Sequence, residues 1–378
     1  MLQMGGIKIK ITKAEIYQID LPLKEPFIIS YHTYASMPAV VIKMYTDEGI
    51  IGYGESVPDE HVTGESVHSV FAALSYNLIP AILGEDPRNI KRIHELMDQA
   101  LVQNGAAKAA IDIACYDILG KASNLPIYTL LGGRKMEQPS IPKVLSILEP
   151  EVLAQQAKEA LAEGYQEIKM KLGKNPKIDI QRVKAVREAV GDDIPIRVDV
   201  NQGWKTVQVA GEAIRSLTPY NVSWVEQPIS QMDVSLFKRL KETTLIPLMA
   251  DESMVTPENL RTLIQDQSVD YINIKLMKSG GIYPSYQLAT QAELFGISCQ
   301  IGSMVESSIA SAAAFHLAVS KQNIISTEVS GPTKFTIDTG NLTYNLPHVN
   351  LPAEPGLGIS VNEENLKKLT VKADIVER

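Results

Sequence analysis

A chain of 378 residues with 45% hydrophobic and 21% charged side chains is too apolar to stay unfolded and too long for one compact core. Its formal net charge of −8, with no block of lysine and arginine, excludes nucleic acid as a main partner. Cys115 and Cys299 make neither a disulfide framework nor a metal spacing, the N-terminal stretch MLQMGGIKIKITKAE lacks the apolar core of a signal peptide and no run approaches the length of a membrane span, so a soluble protein of the reducing cytoplasm is expected.

In chain order, strands are expected at Ile7 to Leu21, Ala39 to Tyr45 and Ile50 to Gly54, the last two joined by the turn Thr46-Asp-Glu-Gly49. Helices follow from about Gly64 to Leu83, Ile90 to Leu101 and Ala106 to Ala122; in the last, Ala110, Ile113, Ala114 and Asp117 recur at helical spacing. This first part, to about residue 135, reads as an α+β unit. From Ser140 the pattern changes to strict alternation. Strands are expected at Ile141 to Ile147, Glu167 to Leu172, Ile194 to Val200 and Ser223 to Glu226. Four more follow at Pro247 to Asp251, Tyr271 to Lys275, Ile297 to Ile301 and Ile324 to Val329, with clear helices between, as at Ala154 to Ala162 and Val183 to Val190. Such alternation implies parallel strands with right-handed crossovers, an α/β chain closing as a (β/α)8-type barrel over residues 136–346. The tail, residues 347–378, holds one strand-like piece and no full repeat, and is expected to return to the unit formed by residues 1–135.

Lys171, Asp199, Glu226, Asp251 and Lys275 each close one of these short apolar runs, 24 to 28 residues apart. Ionised groups on buried strands are costly unless paired or bound to a metal. Strand alternation puts Lys169 with Lys171, Arg197 with Asp199 and Asn201, and Asn273 with Lys275 on one face, towards the barrel interior. A structural ion network would also account for such a face, but strand C-termini of barrels are where chemistry sits. Asp199, Glu226 and Asp251, on consecutive strands, form an all-carboxylate set suited to Mg²⁺ or Mn²⁺ rather than zinc. A divalent cation there would act as a Lewis acid on a substrate carboxylate and stabilise the charge that develops as an α-proton leaves.

Lys171 and Lys275 flank that set. Each must be neutral to accept a proton, and a nearby cation would depress both pKa values; Lys169 adds positive charge beside Lys171, or simply pairs with a neighbouring acid. Two bases on opposite faces of one carbon mean racemisation or epimerisation. With one of them idle, the same site could run a β-elimination.

The series Lys169-x-Lys171, Asp199-x-Asn201, Glu226-Gln-Pro228, Asp251-Glu-Ser253 and Lys275-Leu-Met-Lys-Ser-Gly-Gly281 resembles the enolase superfamily, in its muconate lactonising enzyme subgroup, over essentially the whole chain. The resemblance implies a (β/α)7β barrel with an α+β capping domain, metal binding by Asp199, Glu226 and Asp251, and an acid/base pair in Lys171 and Lys275 with Lys169 as electrostatic helper. It implies a small-molecule carboxylate substrate and a symmetric homo-oligomer. The subgroup includes cycloisomerases, o-succinylbenzoate synthases, dipeptide epimerases and N-acyl amino acid racemases. Dipeptide epimerases show Asp-x-Asp at the end of the eighth strand to grip an α-ammonium; here the segment is Glu328-Val-Ser330. The Gly302-Ser-Met-Val-Glu-Ser-Ser308 segment is similar to the synthase and N-acyl racemase branch. Pro26-Phe-x-Ile-Ser30, Asp59-x-His-Val-Thr-Gly-Glu-Ser66 and Glu328-x-x-Gly-Pro-x-Lys-Phe335 resemble racemases acting on N-succinyl amino acids with arginine- or lysine-like side chains. The implied path is two-lysine 1,1-proton transfer through a metal-stabilised enediolate, with epimerisation of dipeptides or dehydration to o-succinylbenzoate as rivals.

In this family two capping loops close the barrel mouth, here near Phe27 to Met37 and Val57 to Ser66. Tyr31, Tyr34 and Met37 would form an apolar lid that excludes water. Asp59 or Glu60 would face a cationic substrate side chain, unless the second loop is only a solvated acidic one. The expected substrate contacts are Tyr31, Asp59, Glu60, Asn201, Ser303, Met304, Glu306 and Glu328. Elsewhere Gly280-Gly281 is read as a short turn rather than a phosphate nest, His316 as a satisfied buried histidine, and Cys299 as buried and inert.

Overall fold

The computed structural model describes residues 9–377; Ile7 and Lys8, expected to begin the first strand, lie outside the described residues. Strands β1 (Ile11–Ile28), β2 (Thr33–Thr46) and β3 (Ile51–Ser56) form an antiparallel meander. Eight short parallel strands follow: β4 (Lys143–Leu145), β5 (Ile168–Lys171), β6 (Ile196–Asp199) and β7 (Val222–Glu226), then β8 (Leu248–Ala250), β9 (Tyr271–Ile274), β10 (Ser298–Ile301) and β11 (Ile324–Thr327). They lie in one sheet in unbroken chain order, each joined to the next through helix: a (β/α)7β architecture. A hairpin of β12 (Thr343–Asn345) and β13 (His348–Asn350) comes next. The chain then returns to its beginning, where β14 (Thr370–Glu377) pairs antiparallel with β1 and completes a four-stranded sheet.

The first hairpin runs further than the sequence suggested. Most of the segment read as a loop, 27–37, is strand, with Phe27 opposite Tyr34 and Ile28 opposite Thr33 beyond a register shift after Pro22. β-Branched and aromatic residues at these positions favour cross-strand pairing over coil. The loop thus becomes a stiff hairpin tip reaching over the strand C-termini of the eight-stranded sheet, where Ser30 Oγ donates to the Asn201 carbonyl at 2.9 Å.

Helix Gly105–Ser123 is buried on nearly every side because it lies between β2 and β3 and the helices Leu276–Ser279 and Ile282–Leu294 of the parallel unit. Its alanines permit close approach. A Cβ on Gly54 of β3 would come 1.8 Å from the Ala110 carbonyl oxygen, so only glycine fits there. The same helix carries Asp112, which accepts N–H bonds from Ile282 at 2.5 Å and Tyr283 at 3.3 Å, capping helix Ile282–Leu294. Gly281, at φ +117°, lies against that carboxylate, where a Cβ would sit 2.3 Å from Asp112 Cγ. The Gly280-Gly281 turn is therefore filled by a carboxylate of the chain itself, which supplies the negative charge a helix N-terminus favours. Glu55, next to the end of β3, does the same for helix Ser308–Ala318, accepting from the backbone N–H of Ser307 and Ala310, each at 2.8 Å.

The expected buried residues have plain partners. Cys299 lies in β10, and burial pushes its thiol up to about 12. His316 accepts from the Tyr128 N–H at 3.2 Å and its Nε2 faces the Leu357 carbonyl at 3.1 Å, the pattern of a neutral ring. Among the described residues no helix is long and apolar enough to cross a membrane.

Burial lowers the His316 pKa to about 4. Between its unfolded value near 6.5 and 4 the unfolded chain binds a proton that the folded chain refuses. Folded stability therefore falls as pH falls through that window, by roughly 3 kcal/mol from this residue. Urea denaturation at pH 7 and pH 4.5 should show a smaller loss in His316→Gln than in the unaltered chain.

Candidate metal and acid–base site

The site begins with register. Lys171 of β5, Asp199 of β6 and Glu226 of β7 are adjacent across the sheet, because each strand ends one step beyond the same level. Asp251 and Lys275 follow immediately after β8 and β9. The backbone bends sharply there: Asn201, Gln202 and Gln227 have φ of +42°, +67° and +37°, and Val305, beyond β10, has +66°. Such conformations cost roughly 1–3 kcal/mol each in non-glycine residues and need surrounding bonds to hold them. At Gln227 those bonds are visible. Its Oε1 accepts from the N–H of Asp251 and Ser253, and its Nε2 donates to the Ile229 carbonyl and Ser253 Oγ, tying the end of β7 to the end of β8.

Asp199, Glu226 and Asp251 are buried, and each offers a carboxylate oxygen within 4.8 Å of the others. Lysines pair with them from several sides. Lys169 Nζ lies 2.9 Å from Asp199 and 2.8 Å from Glu226, and also contacts Glu328. Lys171 Nζ sits 2.7 Å from Asp199 Oδ2 and 3.2 Å from Asn201 Oδ1. At the other flank Lys275 Nζ lies 2.7 Å from Asp251 Oδ2, and Lys278 Nζ 2.6 Å from Asp251 Oδ1. Asn273 donates to Glu226 Oε1 at 2.7 Å.

The protonation pattern follows. Burial disfavours charge on Lys169, but Asp199, Glu226 and Glu328 outweigh it and hold its pKa well above the ordinary lysine value. Lys275 is raised in the same way, burial being overcome by Asp251, then Glu252 and Glu328. Burial raises Asp199, yet Lys169 and Lys171 carry it below the usual range; Lys275 and Lys278 do likewise for Asp251. Glu226 goes the other way, pushed up to about 8 by burial and then by the Asp199 charge. A site that holds a carboxyl group in that position beside two ionised ones is short of positive charge. Buried Glu252 Oε2 and Asn273 Oδ1 have no hydrogen-bond partner. An all-oxygen donor set with this charge deficit fits a hard divalent cation.

A cleft opens above the cluster. Tyr31, Tyr34 and Met37 from the first hairpin, with Asp59 and Val62, form one wall; Lys171, Asn201, Lys275, Ser303, Met304 and Glu328 face them. Asp59 is fixed by Tyr34 OH at 2.5 Å, Tyr31 OH at 3.2 Å and the His61 N–H at 2.7 Å. Tyr31 stacks on the His61 ring at 4.6 Å. Glu60 is exposed and lies outside the cleft lining, since the turn that points Asp59 inward points its neighbour to solvent. Glu306 is buried behind the cleft, accepting from Ser303 Oγ at 2.6 Å and the Met304 N–H at 2.7 Å, so it shapes the loop after β10 without bordering the space.

Some residues at the site escaped the reading of the sequence. Lys278 was visible only as a letter in a motif; its position three residues after Lys275 in a short buried helix brings both ammonium groups onto Asp251. Gln227 was likewise only a letter in Glu226-Gln-Pro228, because its work is done by amide bonds between strand ends. Lys334 borders the cleft from the segment after β11.

Two family models cover the chain: the mandelate racemase/muconate lactonizing enzyme N-terminal domain over residues 11–132, and the enolase C-terminal domain-like model over residues 152–365. The N-succinyl-L-Arg/Lys racemase of Bacillus cereus is 52% identical over 97% of this chain and 100% of its own, and its crystal structure superposes with a TM-score of 0.96. The hydrophobic dipeptide epimerase of Enterococcus faecalis is 39% identical over 93% of this chain and 99% of its own. A dipeptide epimerase from Cytophaga hutchinsonii, solved with Mg and D-Ala-L-Val, gives a TM-score of 0.93 at 32% identity, covering 97% of this chain and 100% of its own.

If the carboxylate cluster holds a divalent cation, MgCl₂ or MnCl₂ should raise the melting temperature, by about 2.7 kcal/mol of stability at a hundredfold excess over Kd. Glu226→Gln should abolish that shift without lowering the melting temperature in EDTA, because it takes away one of the three converging ligands, the one that burial and Asp199 already disfavour as a carboxylate when no cation is bound. A cation shift that persists in this variant would place the ion elsewhere.

Proposed function

The chain belongs to the mandelate racemase/muconate lactonizing enzyme family, and from that premise we propose that it is a racemase of N-succinyl or related N-acyl amino acids, with a preference for arginine- and lysine-like side chains. The observation that carries the reading is the pair of lysines at opposite flanks of the carboxylate cluster, Lys171 against Asp199 and Lys275 against Asp251. We take residues 1–135 with 347–378 as the capping domain, residues 136–346 as the catalytic one, and the working form as a cytoplasmic homo-oligomer.

A divalent cation, Mg²⁺ in our reading, would be held by Asp199, Glu226 and Asp251 and would supply Lewis-acid charge to the substrate carboxylate. One lysine, neutral, removes the α-proton from its face of the substrate; the other, protonated, delivers a proton to the opposite face, inverting the centre. In the reverse direction the two exchange roles. Pairing with Asp251 is what keeps Lys275 protonated, so weakening that pairing prepares it as a base. Lys169 holds Asp199, Glu226 and Glu328 together and contributes positive charge beneath the reacting carbon. Tyr31, Tyr34 and Met37 exclude water, which strengthens every charge interaction inside. Asp59 faces the cationic side chain of the substrate.

The dipeptide epimerases among the relatives make epimerisation the second reading. Against it stands the end of the eighth strand, where Glu328 is engaged by Lys169 and the next alternate residue is Ser330, leaving no free pair of carboxylates for an α-ammonium.

Proton NMR in D₂O with Mg²⁺ should show exchange of the α-proton of N-succinyl-L-arginine together with loss of optical rotation. Lys171→Ala and Lys275→Ala should each abolish inversion. Exchange absent from N-acyl amino acids and present with o-succinylbenzoate precursor turnover would move the protein to the lyases. Asp59→Asn should cut the kcat/KM preference for arginine over a neutral side chain by roughly tenfold, since it removes a charge-assisted contact.

A further inference from the structure

Most cations around the site already have an anion. Lys169 is held by three carboxylates, Lys171 by Asp199, and Lys275 and Lys278 by Asp251. Lys334 differs. It ends the short helix Gly331–Lys334 that follows β11, and among the described residues no carboxylate lies within 4.0 Å of its Nζ. Its recorded neighbour is the ring of Phe27, 5.1 Å away. A half-buried ammonium without a carboxylate partner is costly, and desolvation, then Lys143 and Lys171, push its pKa down to about 8.

Its position gives that cost a use. Phe27, Val144, Ser330 and Lys334 border both the catalytic cleft and a second cavity beside it, so Lys334 stands where the two adjoin. Asp59 is on the lid wall of the same cleft, fixed by Tyr31 and Tyr34. The cleft thus carries an acid held by the lid, a cation without a carboxylate partner where the two cavities adjoin, and at its floor Lys171 and Lys275, each paired to a member of the carboxylate cluster. An amino acid with a basic side chain and an acidic acyl group has the complementary charges: a cation for Asp59, an α-carboxylate for the floor, and a second carboxylate that needs a cation.

We propose that Lys334 is the receptor for the distal carboxylate of the N-acyl group, and that it makes the enzyme select acidic acyl groups over neutral ones. This rests on the racemase reading above and deepens it. The neighbours also fit the rest of the acyl group: Phe27 and Val144 offer its methylenes an apolar wall, while Glu328 and Glu25, the acids that act on Lys334, do not pair with it within 4.0 Å.

The test compares steady-state racemisation of N-succinyl-L-arginine and N-acetyl-L-arginine by the Mg²⁺-supplemented full chain and its Lys334→Met and Lys334→Arg variants. Lys334→Met should raise KM for the succinyl compound about 10- to 100-fold with kcat changed less than about threefold, and leave the acetyl compound's kinetics unchanged. Lys334→Arg should recover most of the loss. Unchanged acetyl turnover also shows that the variant folds. Equal losses on both compounds, or no loss on either, would overturn the assignment of Lys334 while leaving the racemase intact. Failure of the unaltered enzyme to racemise either compound would overturn the racemase reading, and the role of Lys334 with it.

Discussion

Three carboxyl groups brought within 4.8 Å of one another in a buried space repel, and the architecture of this molecule is arranged around keeping them there. Asp199 and Glu226 are adjacent because parallel strands put equivalent residues side by side, and Asp251 follows on the next strand. The charge is met from both flanks by ammonium groups on neighbouring strands and from below by Lys169. Glu328 reaches it from just beyond the last strand of the sheet through Lys169, so the last strand is tied to the second at the same centre.

The four-stranded sheet and its helices hold the mouth of this centre in place by related means. Asp112 and Glu55 each cross to the eight-stranded unit and cap a helix there, where a carboxylate meets backbone N–H groups that have no partner within their own helix. Helix Gly105–Ser123 closes the gap with small side chains on both faces. The hairpin tip that carries Tyr31 and Tyr34 is therefore an extension of a braced sheet, and Asp59 is bonded to it rather than free in a loop. Position and orientation of the lid follow from contacts far from the chemistry.

Much of this was legible in order along the chain. The alternation of apolar runs and helical stretches gave the parallel sheet, and a charged residue at the end of run after run marked where side chains would meet. The legible part shared a physical cause: strand period and strand-end chemistry are local. What stayed hidden depends on distant partners. Gln227 works through amide bonds to the next strand, Asp112 through a helix 170 residues further on, and Lys278 through a turn that folds it back on Asp251. Asp59 and Glu60 are neighbours of the same charge, and only the turn decides that one faces the cleft and the other solvent. The length of the first hairpin was underestimated because Pro22, Pro26 and two charged residues between them interrupt an otherwise strand-forming run.

The pairing of β1 with β14 spans the chain, joining Lys13 to Glu377 across the whole of the parallel sheet. While the polypeptide is being made, β1 and β2 can pair as soon as they leave the ribosome, but the outer edge of β1 has no neighbour until nearly every other element exists. The edge that β14 will cover, Lys13 to Ile19, is until then a template for pairing with other chains. The site's bracing therefore matures last, and during synthesis this strand is the segment a chaperone would have most reason to cover.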